Sequence, residues 1–151
     1  MRAADAEMEA DFVRKLSSQS RHYRFLGGIR ELSPKELKRM CDVDGDLSMA
    51  FIATVRENDH EVGIGVSRYA PNVDGDVREM AVTVADAWQN KGLGTRLARQ
   101  LIQYAREHGV HRLYSIDLAD NAAMRHLASD LGMTARQDPN DPRQVIYSLT
   151  L

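Results

Sequence analysis

The residues whose types and spacing suit chemistry on an anion are Gln89-Asn90-Lys91-Gly92-Leu93-Gly94. The apolar run before them, Met80-Ala81-Val82-Thr83-Val84, reads as a buried strand, and Leu93 to Glu107 has the period of an amphipathic helix. Strand, glycine-bearing turn and helix bring backbone N–H groups and a helix N-terminus together on one anion. Gly92 and Gly94 carry no Cβ, so ligand phosphates can approach the main chain, and Lys91 adds positive charge beside them. The pattern predicts a pyrophosphate site. It is neither the dinucleotide fingerprint nor the P-loop, because the third glycine and the trailing Gly-Lys-Ser/Thr are missing. A plain strand-to-helix turn with glycines for packing is the competing reading.

The Q-x-x-G-x-G spacing resembles the GCN5-related N-acetyltransferases (GNAT), where this motif grips the coenzyme A pyrophosphate. The flanks Ala81-Val82-Thr83-Val84 and Leu93-Gly94-Thr95-Arg96-Leu97 carry the likeness, as do Asn121 and Leu131-Gly132-Met133. The resemblance implies a mixed α/β fold with a central, mostly antiparallel sheet, two splayed parallel strands and flanking helices. The first strand would be short or missing. It also implies acetyl-CoA as cofactor, held by Val82, Val84, Gln89, Asn90, Lys91, Gly92, Leu93, Gly94, Thr95 and Asn121. For Asn121, helix capping is an equal alternative. Within the family the chain is most similar to the acetyltransferase domain of bacterial protein-lysine acetyltransferases. Ser20-Arg21-His22-Tyr23-Arg24-Phe25, Glu79 to Val84, Asp86-Ala87-Trp88-Gln89 and Asn121-Ala122-Ala123-Met124 carry that likeness. The implied reaction moves an acetyl group from the thioester directly to an amine, preferably a protein lysine. A small-molecule amine acceptor and a non-catalytic acetyl-CoA-binding regulatory module are the alternatives.

A lysine amine, with its reference pKa of about 10.4, is almost wholly protonated at neutral pH, so attack on a thioester benefits from a general base. Glu79 is the catalytic candidate. By strand alternation it shares a face with Ala81 and Thr83, opposite Met80, Val82 and Val84. Apolar flanks would push its carboxyl up toward neutrality. The family often has a catalytic Glu on this strand, which matches Glu79 unless a bulge flips the face. A strand-edge glutamate paired with Arg78 or solvent is the competing reading. Backbone N–H groups around Val82 and Val84 would serve the oxyanion. The position of the family's acidic Tyr is here Ala128, which leaves Tyr114 and Ser129 as substitutes and water as the fallback.

The elements that must position these groups fit in 151 residues, enough for one domain with one core. Hydrophobic residues make up 43% and charged residues 28%, and the net charge of −2 argues against a nucleic-acid partner. No apolar stretch approaches membrane-spanning length and no signal peptide is evident, so neither a membrane partner nor export is expected. Cys41 is the single cysteine and is read as a packing residue, with cytoplasmic localisation. His108, His111 and His126 have no zinc spacing and no metal is expected. Trp88 is read as a plug beneath the turn.

In chain order, Ala4 to Leu16 reads as a helix with Met8, Phe12 and Leu16 inward and Asp5 as N-cap. Only Met1 and Arg2 remain for a preceding edge strand, so either that strand is absent or the true start lies upstream. An exposed edge would permit a homodimer. Ser17 to Ser20 reads as a polar break, and Arg21 to Leu26, ending at Gly27-Gly28, as a packed helical turn. Ser33-Pro34-Lys35-Glu36 starts a helix that carries Leu37 and Met40 inward. Asp42 to Asp46 has calcium-loop spacing but lacks the required Gly and Glu, and is a solvated turn. Ala50 to Arg56 and Glu61 to Tyr69 form a hairpin, and Asn72-Val73-Asp74-Gly75 a second turn into the strand Asp76 to Val84. After the helix, Leu113 to Leu118 is a strand, Asp120-Asn121 caps a short helix, and Thr134 to Gln137 with Gln144 to Leu149 closes a hairpin.

Overall fold

The structure, a computed structural model, describes residues 1–26, 32–72 and 76–151. Gly27-Gly28 and the turn residues Val73 to Gly75 lie outside the described residues. Three helices come first: α1 (Ala6–Lys15), α2 (Ser18–Phe25) and α3 (Pro34–Cys41). Strands β1 (Met49–Glu57), β2 (His60–Pro71) and β3 (Val77–Val84) lead to α4 (Leu93–Glu107). Strand β4 (Arg112–Leu118), α5 (Ala122–Asp130), β5 (Thr134–Gln137) and β6 (Gln144–Thr150) complete the order. The six strands form one mixed sheet, β1-β2-β3-β4-β6-β5. This is the mixed α/β architecture expected.

Local chemistry explains most elements. Ser33 and Glu36 form the full capping box, Ser33 Oγ accepting from Glu36 N at 3.2 Å and Glu36 Oε2 from Ser33 N at 2.9 Å. Asn58 and Asp59 both have positive φ, which matches the right-handed twist of the β1–β2 hairpin. Asp44 Oδ1 accepts from the N–H groups of Asp46 and Ser48, closing the acidic segment into a turn. Among the described residues no acidic, His or Cys cluster suits a metal.

Two readings near the N-terminus are corrected. Ser17 to Ser20 is no break: Ser17 Oγ accepts from Ser20 N at 3.1 Å and caps α2, whose first turn this is. Asp5 does not cap α1 forward; its carboxylate accepts from Arg2 N at 2.7 Å instead. The buried stripe of α1 is Glu9, Phe12 and Val13, continued by Leu16, with Met8 only half-buried. Glu9 can be buried because Arg68 of β2 donates to its Oε1 at 2.9 Å. Burial pushes the Glu9 carboxyl above the ordinary range, and the Arg68 and Arg24 guanidiniums oppose that shift. Cys41 is fully buried, its thiol pushed up by burial and then by Glu9.

On the other face, α4 buries Leu97, Ala98, Leu101, Ile102 and Ala105. They pack with Tyr69, Met80, Val110 and Leu113 into the main core. Among the described strands, β1 is an edge, and the Met1 ammonium donates to Ala50 O at 2.9 Å.

What positions the site is a change of partner. Strand β3 pairs antiparallel with β2 without a break, from Gly65↔Val84 to Pro71↔Arg78, so no bulge disturbs its alternation. Among the described strands the one irregularity is in β2 against β1, between Ala53 and Thr54. With β4, β3 pairs in parallel only over Val77↔Arg112, Arg78↔Leu113 and Glu79↔Tyr114. Beyond Glu79 the two strands separate, and β4 continues beside β6 to Leu118↔Gln144.

Candidate active site

The separation of β3 and β4 opens a cavity of about 620 Å³. Its walls come from β3, β4, α2, the Asp86–Gly94 turn, and α5 from its cap Asn121 along to Asp130. At one end lies the start of α4. Gly92 is the N-cap with φ +83°, no side chain caps the helix, and its first backbone bond is Arg96 N to Gly92 O at 3.2 Å. The N–H groups of Leu93, Gly94 and Thr95 therefore have no helical carbonyl to donate to, and all three residues line the cavity. Uncapped amides at a helix N-terminus suit a phosphate. Gly92 is demanded by its conformation rather than by room, since a Cβ there would meet nothing within 4 Å. Gly94 faces β3, where an added Cβ would lie 3.5 Å from Val84 Cγ2 and 3.9 Å from Val82 Cγ1.

Along the gap the backbone itself is available. Ala85 N donates to Ile64 O of β2 at 2.8 Å, so by strand alternation the N–H groups of Val82 and Val84 point away from β2. Val84 O confirms that direction by accepting from Gln89 Nε2 at 3.0 Å. Neither Val82 nor Val84 has a β4 pairing partner. Donors aimed into such a gap suit a pantetheine amide and a developing oxyanion.

The turn is braced to α2. Asp86 accepts from Ser17 N at 3.0 Å and from Ser20 Oγ at 3.2 Å, and Gln89 Nε2 donates to Ser20 Oγ at 3.2 Å. Burial pushes the Asp86 carboxyl up, but the bonds from Ser17 and Ser20 outweigh it and hold it below the ordinary range. Tyr23 OH reaches Asp120 O at 3.5 Å, linking α2 to the loop before α5. Asn121 Oδ1 accepts from Met124 N at 3.1 Å and so caps α5, while the residue also lines the cavity.

Of the residues singled out in the sequence, Glu79, Val82, Val84, Gln89, Asn90, Gly92, Leu93, Gly94, Thr95 and Asn121 line this cavity. Lys91 does not: its ammonium lies 5.2 Å from the Trp88 ring centroid, outside the wall. Trp88 is half-buried and forms part of the wall rather than a plug beneath the turn. Glu79 is exposed at the cavity rim and lacks the apolar enclosure expected from its neighbours in sequence. Neither Tyr114 nor Ser129 reaches the wall, and Ala128 is buried against Met124 and Tyr147.

Sequence reasoning missed Arg24 and Asp117. Arg24, on α2, lines the cavity, and burial lowers its guanidinium to about 10, still charged at neutral pH. Asp117, near the end of β4, is half-buried and accepts from Ser115 Oγ at 2.5 Å. Burial pushes its carboxyl up to about 6 against the lowering effects of Ser115 and Arg24, with Glu79 adding to the rise. A signal existed: Asp117 is the one charged side chain in the run Leu113 to Leu118.

Comparison with known proteins agrees with this geometry. Residues 14–133 match the family model described as "Acetyltransferase (GNAT) family". An acetyltransferase of Pseudomonas aeruginosa is 44% identical over 151 residues, covering 100% of this chain and 81% of that protein. The crystal structure of the GNAT domain of S. lividans PAT is 26% identical, with a TM-score of 0.89 over 100% of this chain and 88% of that one. A cAMP-binding acyltransferase from Mycobacterium smegmatis is 26% identical with a TM-score of 0.61, over 87% of this chain and 40% of that one. The cavity suits the cosubstrate this family uses, with uncapped amides at one end and strand amides along the gap. The chain belongs to the GNAT family and is an N-acetyltransferase that uses acetyl-CoA.

Proposed function

We propose that this enzyme acetylates a lysine amine of a protein, with Glu79 as the general base that accepts the ammonium proton directly or through a water. The observation that carries the reading is the gap beyond Glu79. It runs from the uncapped amides of α4, past the inward N–H groups of Val84 and Val82, to a carboxylate on the rim. In this reading Leu93, Gly94 and Thr95 hold the pyrophosphate, Asn90 and Gly92 shape the turn, and Gln89 braces it. Val82 and Val84 take the pantetheine arm and the thioester oxygen, and Lys91 contributes long-range charge alone. The amine attacks the thioester carbon, the C–N bond forms, the C–S bond breaks and coenzyme A leaves as a thiol. Exposure of Glu79 favours a bulky acceptor, because a lysine on another macromolecule can reach the rim without entering a closed pocket. The resemblance of the Ser20 to Phe25 segment to bacterial protein-lysine acetyltransferases supports the same acceptor. The cytoplasm is the proposed compartment, consistent with the free, buried Cys41.

The test is thiol release from acetyl-CoA with lysine peptides and folded proteins, against polyamines and amino sugars, in wild type and Glu79→Gln. Peptide or protein acceptors should give the highest kcat/KM, and the variant should lose about 10²-fold or more in kcat. Preference for a polyamine or sugar would overturn the lysine assignment. Full activity of the variant would remove Glu79 from the reaction.

A further inference from the structure

Forming an amide from an ammonium requires the nitrogen to shed two protons, one before attack and one after, while the departing sulfur needs one. In the reading above Glu79 takes the first. Ala128, 2% exposed beneath Tyr147, supplies nothing for the second. Across the gap, β4 presents another carboxylate. Extending the parallel register from Glu79↔Tyr114 by the same step on both strands sets Asp117 level with Val82, whose N–H faces the gap. Asp117 lines the cavity, and Ser115 occupies its Oδ2, leaving Oδ1 without a hydrogen-bond partner among the described residues.

We propose that Asp117 is a second catalytic carboxylate, taking the nitrogen's second proton after the C–N bond forms and delivering it to the sulfur as the C–S bond breaks. The proposal rests on the acetyl-transfer reading. The step balances: the carboxylate is ionised before and after, the nitrogen keeps one proton as the amide, and coenzyme A leaves as a thiol. The charged and titratable groups facing Asp117 are Arg24 from α2, Glu79 from β3 and Tyr147 from β6, with His126 and Asp130 of α5 lining the same cavity. Its carboxyl, at about 6, is ionised at neutral pH yet acidic enough to protonate a thiolate whose thiol has a pKa near ~8.5. The working form is the carboxylate, so turnover falls as pH drops through about 6.

The experiment follows kcat for amine-dependent thiol release between pH 5 and 9 in wild type, Asp117→Asn and Asp117→Ala, with acetyl-CoA binding monitored by thermal shift. Asp117→Asn should lower kcat by on the order of 10²-fold while the acetyl-CoA shift is retained, and its acidic limb near pH 6 should vanish. Formate should restore Asp117→Ala in proportion to its concentration, which a structural role would not allow. Ser115→Ala removes a lowering bond and should move the limb to higher pH; residual activity of Glu79→Gln should show it at lower pH. Asp117→Asn within about threefold of wild type, a persistent limb, or no response to formate overturns the proposal alone. A wild type without amine-dependent release overturns the acetyl-transfer reading along with it.

Discussion

Gly94→Ala separates stability from cofactor binding, and the structure sets both magnitudes. Gly94 is the second residue of α4, and its added Cβ would sit 3.5 Å from Val84 Cγ2 and 3.9 Å from Val82 Cγ1, which is ordinary van der Waals contact. No contact among the described residues requires a glycine there. Alanine is the better helix former by up to about 1 kcal/mol, so the unliganded variant should keep its Tm or gain up to about 4 °C. The same methyl projects between the α4 N-terminus and β3, where the cofactor would run. A loss of tenfold in Kd costs about 1.4 kcal/mol. At acetyl-CoA set to 100 times the wild-type Kd, binding stabilises wild type by about 2.7 kcal/mol, and a tenfold weaker variant by about 1.4. The ligand-induced thermal shift should therefore fall to about half. An equal shift in variant and wild type would refute the placement of the cofactor along this turn. A large drop in unliganded Tm would mean that the glycine serves the fold. Gly92→Ala is the contrasting case, because its φ of +83° costs an alanine about 1–2 kcal/mol whatever the space around it.

Arg68→Met should strand the buried Glu9 carboxylate and cost about 3–5 kcal/mol at neutral pH, lowering Tm by on the order of 10 °C. The folded-state pKa of Glu9 is already raised by burial, and loss of Arg68 raises it further. Stability is therefore lost as pH rises above the ordinary glutamate range near ~4.3, and the deficit should shrink at pH 5. The double variant Glu9→Leu/Arg68→Met should recover most of it; a pH-independent deficit without recovery, read by thermal melts, would contradict the ion-pair account. Asn121→Asp should keep the α5 cap, since the aspartate still accepts from Met124 N, but removes the amide donor of a residue that lines the cavity. Its Tm should match wild type while calorimetry shows acetyl-CoA affinity about tenfold lower; unchanged affinity would leave Asn121 as a cap alone.

Most local signals were legible in the sequence, although the Ser17 cap of α2 read as a break. The α4 boundaries, Leu93 to Glu107, follow from its apolar period and from glycine at each end. The Ser33–Glu36 box and the Asn58-Asp59 hairpin also emerged where read, because each depends on a few neighbouring residues. The turn Gln89 to Gly94, and with it the family, was readable for the same reason. Tertiary structure alone decided where β3 and β4 part, and hence that the Val82 and Val84 amides face a gap instead of a neighbouring strand. It also sent the Lys91 ammonium over Trp88, left Glu79 exposed, and buried Glu9 against an arginine of β2. Asp117 shows the division best. Its position on a strand was plain from the chain, but its burial and its proximity to Glu79 and Arg24 come from strands and helices distant in sequence. Hydrophobic period encodes which face of an element turns inward; it does not encode what that face meets, and a carboxylate's chemistry is set by what it meets.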